Sequence, residues 1–188
     1  MATVEINDLA KRYRGTQALR GLNLRLASGC VTGILGENGS GKSTLFRILA
    51  GVTRPTRGQV LIDGLRIGVD TRRITAYLPE VDAFYAWMSI EEQLEFLASF
   101  YPEWDQAKAR ELTQFMKLKG EAKIGELSKG QRARLKFIVA FSWPSRLILL
   151  DEPFTGIDPV TIHSIQDIIG ELRDNGISNR LVDHRERE

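Results

Sequence analysis

The stretch Gly36-Glu37-Asn38-Gly39-Ser40-Gly41-Lys42-Ser43 decides the fold, because it matches the pattern G-x-x-x-x-G-K-[ST]. Before it, residues 31–35 form a mostly apolar run that is typical of a buried parallel strand. After it, residues 42–50 carry apolar side chains at helical spacing, and Gly51 is placed to end a helix. A strand, a glycine-rich turn and a helix in this order predict a phosphate-binding loop.

The residue types of this loop indicate its chemistry. Glycines allow successive backbone N–H groups to surround an anion, and the helix N-terminus adds the positive end of its dipole. Lys42 can reach the β- and γ-phosphates, Ser43 offers a hydroxyl to Mg²⁺, and Thr44 can contact the α-phosphate region. A dinucleotide fold is disfavoured because the glycines lack the G-x-G-x-x-G spacing. The alternative is a glycine-rich turn that only joins a strand to a helix.

Two acidic residues follow a second apolar strand. Residues 147–150 are continuously apolar, and Asp151 and Glu152 come directly after them. Asp151, at the carboxyl end of a parallel strand, would hold Mg²⁺ opposite Ser43. Strand alternation would turn Glu152 the other way, where its carboxylate could polarise an attacking water. The alternative is a pair of solvated acids at a strand end.

The rest of the chain reads as one α/β domain of 188 residues. Strands that alternate with helices predict a parallel sheet covered on both faces. From about residue 89 to residue 143 the pattern becomes helical, with capping boxes that begin at Ser89 and Ser128. Near the end, Asn179 and Arg180 interrupt an apolar run, which argues against a buried strand there.

Composition excludes several classes of protein. Lys and Arg total 26 against 24 Asp and Glu, a formal charge of +2, so no nucleic-acid partner is expected. Cys30 is the only cysteine, which rules out an internal disulfide and, with two histidines, makes a structural zinc cluster improbable. The apolar runs fall short of a membrane span, so any membrane role must come through a partner.

Five further stretches resemble the ATP-binding cassette (ABC) ATPases. Leu127-Ser128-Lys129-Gly130-Gln131 is similar to the family's LSGGQ signature, with lysine at the third place. Gly156-Ile157-Asp158-Pro159 resembles the D-loop, and Tyr77-Leu78-Pro79-Glu80 stands where the family has its Q-loop. Tyr13 resembles the aromatic residue that stacks on adenine, and His184 stands at the place of the switch histidine.

The resemblance implies a P-loop NTPase fold: an ABC ATPase core with N-terminal antiparallel strands and an inserted α-helical subdomain. The core would comprise about residues 1–88 and 144–188, and the helical subdomain about residues 89–143. Family members continue with more strands and a helix, so we expect a truncated C-terminus. ATP and Mg²⁺ are the implied cofactors, and hydrolysis of ATP to ADP and phosphate is the implied reaction.

The resemblance also implies roles for individual residues. Metal binding falls to Ser43, Glu80 and Asp151, and catalysis to Lys42, Glu152 and His184. The residues expected to bind ATP are Tyr13, Gly36, Glu37, Asn38, Gly39, Ser40, Gly41, Lys42, Ser43, Thr44, Glu80, Ser128, Lys129, Gly130 and Gln131.

Four of these residues have open alternatives. Tyr13 could be a packed aromatic at a strand end, Ser128 could cap an ordinary helix, and His184 could be a solvated tail residue. Glu80 replaces the family's glutamine; its carboxylate can still accept from water or ligate Mg²⁺, but it adds negative charge near Glu152.

By family analogy, the signature of one chain binds the γ-phosphate held by another, so two chains would sandwich two ATP molecules as a homodimer. The resemblance is strongest to bacterial ABC-2-type exporter ATPases, which implies a transmembrane permease partner and a peripheral, cytoplasmic place on the inner face of the membrane. Residues 81–88, with Phe84, Tyr85 and Trp87, would line the groove that receives a helix of that partner, or else pack the helical lobe.

Three other functions compete with a transporter ATPase. A nucleotide-binding regulatory protein with weak or no turnover is one. A cassette protein that acts on ribosomes or DNA is another, but such proteins carry two cassettes or long insertions. A P-loop kinase of small molecules is the third, and it would lack residues 127–131.

Overall fold

The computed structural model describes residues 2–81, 83–154, 157–159, 162, 163 and 165, and the backbone of residues 179–184. These residues fall into two compact units. The core unit comprises the described residues within Met1–Pro79, Ser145–Glu152 and Leu172–Glu188. The helical unit comprises those within Glu80–Pro144 and Pro153–Glu171.

One sheet of the core unit is antiparallel. Its four strands are β1 (Val4–Tyr13), β2 (Thr16–Leu26), β4 (Arg57–Ile62) and β5 (Leu65–Arg66), in the order β2-β1-β4-β5. Asp63 and Gly64 join β4 to β5 with φ angles of 52° and 77°. Two consecutive positive φ angles define the tight turn that matches the twist of a two-stranded hairpin, as this Asp-Gly pair predicts.

The other sheet of the core unit is parallel. Its strands are β3 (Val31–Leu35), β6 (Thr75–Leu78), β7 (Leu147–Leu150) and β8 (Asn179–His184), in the order β3-β8-β7-β6. The sequence argues against a buried strand near Asn179 and Arg180; the backbone there does form a strand, which pairs with β3 on one side and β7 on the other.

Helix α1 (Lys42–Leu49) supplies much of the core between these strands. Its buried residues share one cluster with the inward side chains of β1, β4 and β7. The members from α1 are Leu45, Phe46, Ile48 and Leu49, all at most 4% exposed. The helix that follows the phosphate-binding loop is thus fixed by a packed apolar face. The core unit also contains the short helix α2 (Val69–Arg73).

The expectation that β3 is a buried strand is wrong for one of its faces. Val31 is 45% exposed and Leu35 is 62% exposed, whereas Ile34 packs partly against the apolar cluster. Both β3 and β6 stand at an edge of the parallel sheet, but β6 is mostly buried and, of these two strands, only β3 leaves a face exposed, while β7 inside the sheet is buried along its whole length. A continuous apolar run does not distinguish these two places.

The helical unit includes the α-helices α3 (Ile90–Ala98), α4 (Gln106–Phe115) and α5 (Lys129–Phe141). Ser89 and Ser128 each close the predicted capping box at the start of α3 and α5, and Asp105 caps α4. Among the described helices of the chain, none is both long and apolar enough to cross a bilayer.

Candidate functional site

The glycine-rich loop turns sharply between β3 and α1 in the core unit. Gly39 and Gly41 have φ angles of 83° and 102°, a region that side-chain-bearing residues rarely adopt. A Cβ atom on Gly41 would lie 2.4 Å from the carbonyl oxygen of Ala18, so only glycine fits there. The loop therefore has the backbone shape that turns N–H groups toward an anion at the start of a helix.

Lys42 lies against this loop, with its side chain largely buried. Its Nζ donates to the carbonyl oxygen of Gly36 at 2.5 Å and to that of Glu37 at 3.1 Å, and the residue is only 8% exposed. The ammonium is thus held at the loop by the two residues that open the motif. An ammonium in this place can pair with phosphate oxygens that enter the loop.

A cavity of about 530 Å³ lies beside the loop. Residues 17–22 of β2 line one side, and residues 39–42 of the loop line another. Tyr13 stands at the end of β1, paired with Thr16 across the hairpin that leads into β2. Its ring is exposed, and the Nζ of Lys11 lies 4.7 Å from the ring centroid. An adenine that stacked on Tyr13 would share the ring with this cation.

Ser43 and Asp151 are hydrogen-bonded although 108 positions separate them in the chain. The Oγ of Ser43 donates to Oδ1 of Asp151 at 3.0 Å. Asp151 is 2% exposed, and its backbone N–H donates to the carbonyl oxygen of Leu78 at 3.0 Å. The hydrogen bond between Ser43 and Asp151 thus brings two oxygen-bearing side chains together where β7 ends and α1 begins.

These two residues fit the hard cation that the resemblance implies. Both offer oxygen atoms, which Mg²⁺ prefers, and Asp151 is the one buried carboxylate of the described part of the chain. No three His, Cys, Asp or Glu residues cluster within the described ranges. Ser43 and Asp151 would therefore hold Mg²⁺ together with water and phosphate oxygens, the ligand set typical of this ion in nucleotide sites.

Tyr77 is a residue of this site that the sequence reasoning did not assign to it. Its hydroxyl donates to Oδ2 of Asp151 at 3.2 Å. Burial, followed by the nearby Asp151 carboxylate, raises the pKa of Tyr77 to about 12, against an opposing effect of Arg47. The phenol therefore stays protonated and continues to donate at neutral pH. The signal available in the sequence was the place of this tyrosine in the stretch Tyr77-Leu78-Pro79-Glu80, which resembles the Q-loop; the pairing of β6 with β7 is seen only in the structure.

Glu152 follows Asp151 in a left-handed backbone conformation, with φ 50°, and is half-buried. The alternation argument for its direction does not hold, because β7 ends at Leu150. A left-handed φ at a residue other than glycine costs of order 1 kcal/mol or more, and such residues occur at active sites more often than elsewhere. The chain turns sharply at this residue, directly after the carboxylate of the proposed metal site.

The signature-like segment begins α5 in the helical unit. The Oγ of Ser128 accepts from the backbone N–H of Gln131 at 3.2 Å, and Oε1 of Gln131 accepts from the N–H of Ser128 at 2.9 Å. Ser128 and Lys129 are exposed, and Gly130 is half-buried. Lys129 is the first helical residue, so its replacement of the family's glycine needs no special backbone angle. The N-terminus of α5 is therefore formed and accessible.

The remaining candidates stand as follows. Glu80 is exposed in the helical unit, and its carbonyl oxygen accepts from Nζ of Lys136 at 2.5 Å. The backbone of His184 pairs with Leu35, directly before the phosphate-binding loop, but its side chain lies outside the described residues. Gly156 of the D-loop stretch also lies outside them.

A family model described as "ABC transporter" matches residues 19–155, which is more than half of the chain. The lipopolysaccharide export system ATP-binding protein LptB of Escherichia coli strain K12 is 32% identical over 199 residues, covering 100% of this chain and 83% of that protein.

Solved structures of ABC transporter subunits also resemble this chain. An ATP-binding subunit of an ABC transporter matches with a TM-score of 0.85 and 29% identity, covering 96% of this chain and 79% of that one. The ATP-binding cassette MJ0796, solved as a dimer in a post-hydrolysis state bound to ADP and Pi, matches with a TM-score of 0.86 and 25% identity. The match covers 96% of this chain and 88% of that one. The predicted fold class, the P-loop NTPase fold of an ABC ATPase, is confirmed. The chain belongs to the ABC transporter family, as an ATP-binding ATPase subunit that powers transport.

Proposed function

We propose that two copies of this chain form an ATP sandwich, in which the loop of each copy and the start of α5 in the other hold one nucleotide. The observation that carries the proposal is that one chain presents two helix N-termini of different kinds, each suited to an anion. The loop in the core unit has its own lysine, and the exposed N-terminus of α5 has a serine cap with free access from solvent. The dimeric MJ0796 cassette supports this arrangement.

In the loop, backbone N–H groups and Lys42 bind the β- and γ-phosphates and stabilise the charge that develops during transfer. Thr44 contacts the α-phosphate region, and Tyr13 stacks on adenine. Ser43 and Asp151, with Glu80 as the further ligand that the family resemblance implies, would hold Mg²⁺, which would neutralise charge at the phosphate oxygens. The N–H groups of Lys129, Gly130 and Gln131 of the partner copy contact the γ-phosphate.

Glu152 is the proposed general base. Its carboxylate accepts a proton from the attacking water while the water oxygen bonds to the γ-phosphorus. The bond from that phosphorus to the bridging oxygen breaks, and ADP takes the electron pair. His184 contacts the γ-phosphate in this proposal. Loss of the γ-phosphate removes the group that both copies share, so the two copies separate.

The energy of this cycle would drive export through a separate transmembrane permease, with the chain peripheral on the cytoplasmic face of the membrane. The export direction rests on the similarity to LptB. In the helical unit, Val81, Tyr85 and Trp87 are exposed, and Tyr85 and Trp87 have ring centroids 5.8 Å apart. We propose that this aromatic surface receives a helix of the permease, because exposed aromatic clusters mark protein interfaces. The division into a core of about residues 1–88 and 144–188 and a helical subdomain of about 89–143 stays a prediction.

The test of the sandwich is the Glu152→Gln variant in the presence of ATP and Mg²⁺. Without a general base the nucleotide persists, so the variant forms a stable dimer whose mass is measured by light scattering after gel filtration. Wild type, which hydrolyses its ATP, remains monomeric under the same conditions. Glu152→Gln combined with Lys42→Ala is the matched control and forms no dimer. A monomeric Glu152→Gln variant that still binds ATP would contradict the proposal.

A further inference from the structure

The Asp151 carboxylate is held at both oxygens by donors from two different elements. Ser43 of α1 donates to Oδ1 at 3.0 Å, and Tyr77 of β6 donates to Oδ2 at 3.2 Å. At 2% exposure, a carboxylate has little water to satisfy an oxygen that loses its partner. The two donors differ in role, because Ser43 is itself a proposed magnesium ligand and Tyr77 is not.

We propose that Tyr77 is a positioning residue, whose hydroxyl fixes the rotation of the Asp151 carboxylate so that Oδ1 stays turned toward Ser43. This rests on the proposed role of Ser43 and Asp151 as magnesium ligands. When Ser43 turns its hydroxyl to the cation, Oδ1 loses its donor, and Tyr77 remains to hold the carboxylate by Oδ2. The phenol thereby presets the metal ligand before nucleotide arrives.

The backbone around this contact leaves the phenol little freedom. β6 and β7 are parallel and in register, with Tyr77 paired to Leu149 and Leu78 paired to Leu150. The N–H of Asp151 continues the ladder by donating to the carbonyl oxygen of Leu78. Because Tyr77 lies in β6 and Asp151 directly follows its paired strand β7, the separation of the two side chains is set largely by strand spacing.

Removing only the phenol oxygen isolates this effect. Hydrogen-bond partners of metal ligands typically contribute about 10- to 100-fold to metal affinity. Tyr77→Phe should therefore weaken metal binding by about tenfold or more, because the freed carboxylate can rotate away from Ser43. Metal-free nucleotide affinity should hardly change, since the loop and Lys42 are untouched. A purely structural role would move both affinities together.

The experiment titrates Mn²⁺ into the full chain with a non-hydrolysable ATP analogue and follows the metal by electron paramagnetic resonance. Analogue affinity in EDTA is measured in parallel. Tyr101→Phe is the control, because it removes the same oxygen from a tyrosine of the helical unit. Within that unit the ring of Tyr101 packs on Trp143, with ring centroids 4.5 Å apart. We expect about tenfold or weaker Mn²⁺ affinity for Tyr77→Phe alone. An affinity within about twofold of wild type overturns the proposal.

Two further variants separate this proposal from its premise. Asp151→Asn must weaken Mn²⁺ binding; if it does not, the metal site itself fails and the positioning role with it. If Asp151→Asn weakens binding and Tyr77→Phe does not, only the positioning role is overturned. Should Tyr77→Phe fail to fold, 4-aminophenylalanine at position 77, which keeps a donor in the same place, is compared with 4-methylphenylalanine, which has none. Equal Mn²⁺ affinities of these two overturn the proposal.

Discussion

The phosphate-binding loop of the core unit and the start of α5 in the helical unit are both helix N-termini, but they are built differently. At the loop, Lys42 is 8% exposed, and its ammonium is already bonded to two carbonyl oxygens of the motif. At α5, the cap is complete through Ser128 and Gln131, yet Ser128 faces solvent. The loop therefore has a buried positive charge of its own that can face phosphate, whereas the start of α5 offers N–H groups and no buried cation.

This difference predicts a different role for each of the two helix N-termini in nucleotide binding. A buried lysine with a closed loop can bind a triphosphate within one chain, whereas an exposed helix start contributes only weakly alone and gains strength when a second surface excludes water from it. Variants of the two places should therefore fail in different ways. Damage to the loop should strongly weaken nucleotide binding, and loss of the cap should leave binding intact but weaken dimer formation and turnover.

Lys42→Ala is expected to have the largest effect. Removal of the ammonium takes away a charged contact to phosphate, and the affinity for ATP should fall by about 100-fold, which corresponds to about 3 kcal/mol. Isothermal titration with ATP measures it. Lys108→Ala, on the exposed surface of α4 beside Glu111, is the control and should bind as wild type. A Lys42→Ala variant that binds ATP normally would show that the buried lysine does not set the loop apart from the start of α5 in nucleotide binding.

Ser128→Ala should separate binding from turnover. Loss of the cap costs about 1 kcal/mol of helix stability. It should also disturb the N–H groups at the start of α5 that contact the shared γ-phosphate, and we therefore expect ATP hydrolysis to fall at least about tenfold. ATP affinity of the isolated chain should stay within about twofold of wild type. The readouts are a coupled ATPase assay and titration with ATP.

Ser89→Ala is the matched control for this variant. Ser89 forms the same capping box at the start of α3 in the same unit, so its loss destabilises a helix to a similar extent. Its ATPase rate should remain that of wild type. Equal rates for Ser89→Ala and Ser128→Ala would mean that Ser128 matters only for stability.

Trp87→Ala should affect neither nucleotide binding nor turnover of the isolated chain. Trp87 is 67% exposed beside Tyr85, and we expect its loss to weaken association with the membrane partner. In cells of the source organism, the share of the chain that sediments with membranes should fall by half or more. Phe115→Ala, an exposed aromatic on α4, is the control and should sediment as wild type. Unchanged sedimentation of Trp87→Ala would place the docking surface elsewhere.

Glu80→Gln is expected to have the smallest effect, with at least about half of the ATPase activity retained. Its carboxylate and the amide that replaces it can each offer one oxygen to water or Mg²⁺. Steady-state hydrolysis at saturating ATP measures this. A near-total loss would give Glu80 a role in proton transfer that an amide cannot fill.

Sequence reasoning predicted the features that short segments determine. The loop, the caps at Ser89 and Ser128 and the Asp63-Gly64 turn each depend on a few adjacent residues whose preferred backbone angles leave little choice. The meeting of Ser43 with Asp151 followed from a general rule, because ligands gather at the carboxyl ends of parallel strands.

The features that were missed depend on the order of strands in a sheet. Leu35 lies on the exposed face of β3, and β8 forms despite Asn179 and Arg180 because its backbone is paired on both sides. Tyr77 reaches Asp151, 74 positions away, because β6 lies next to β7. A sequence read segment by segment does not supply that order.

Mixing two inactive variants tests the shared site most directly. Lys42→Ala retains its α5 start, and Ser128→Arg retains its loop, so a heterodimer holds one complete site. Half of random encounters bring the two variants together, and each mixed pair has one of two sites, so the mixture should hydrolyse ATP well above the sum of the two variants alone, at up to about a quarter of the wild-type rate. A mixture no more active than the sum of the two variants alone would contradict a site built from two copies of the chain.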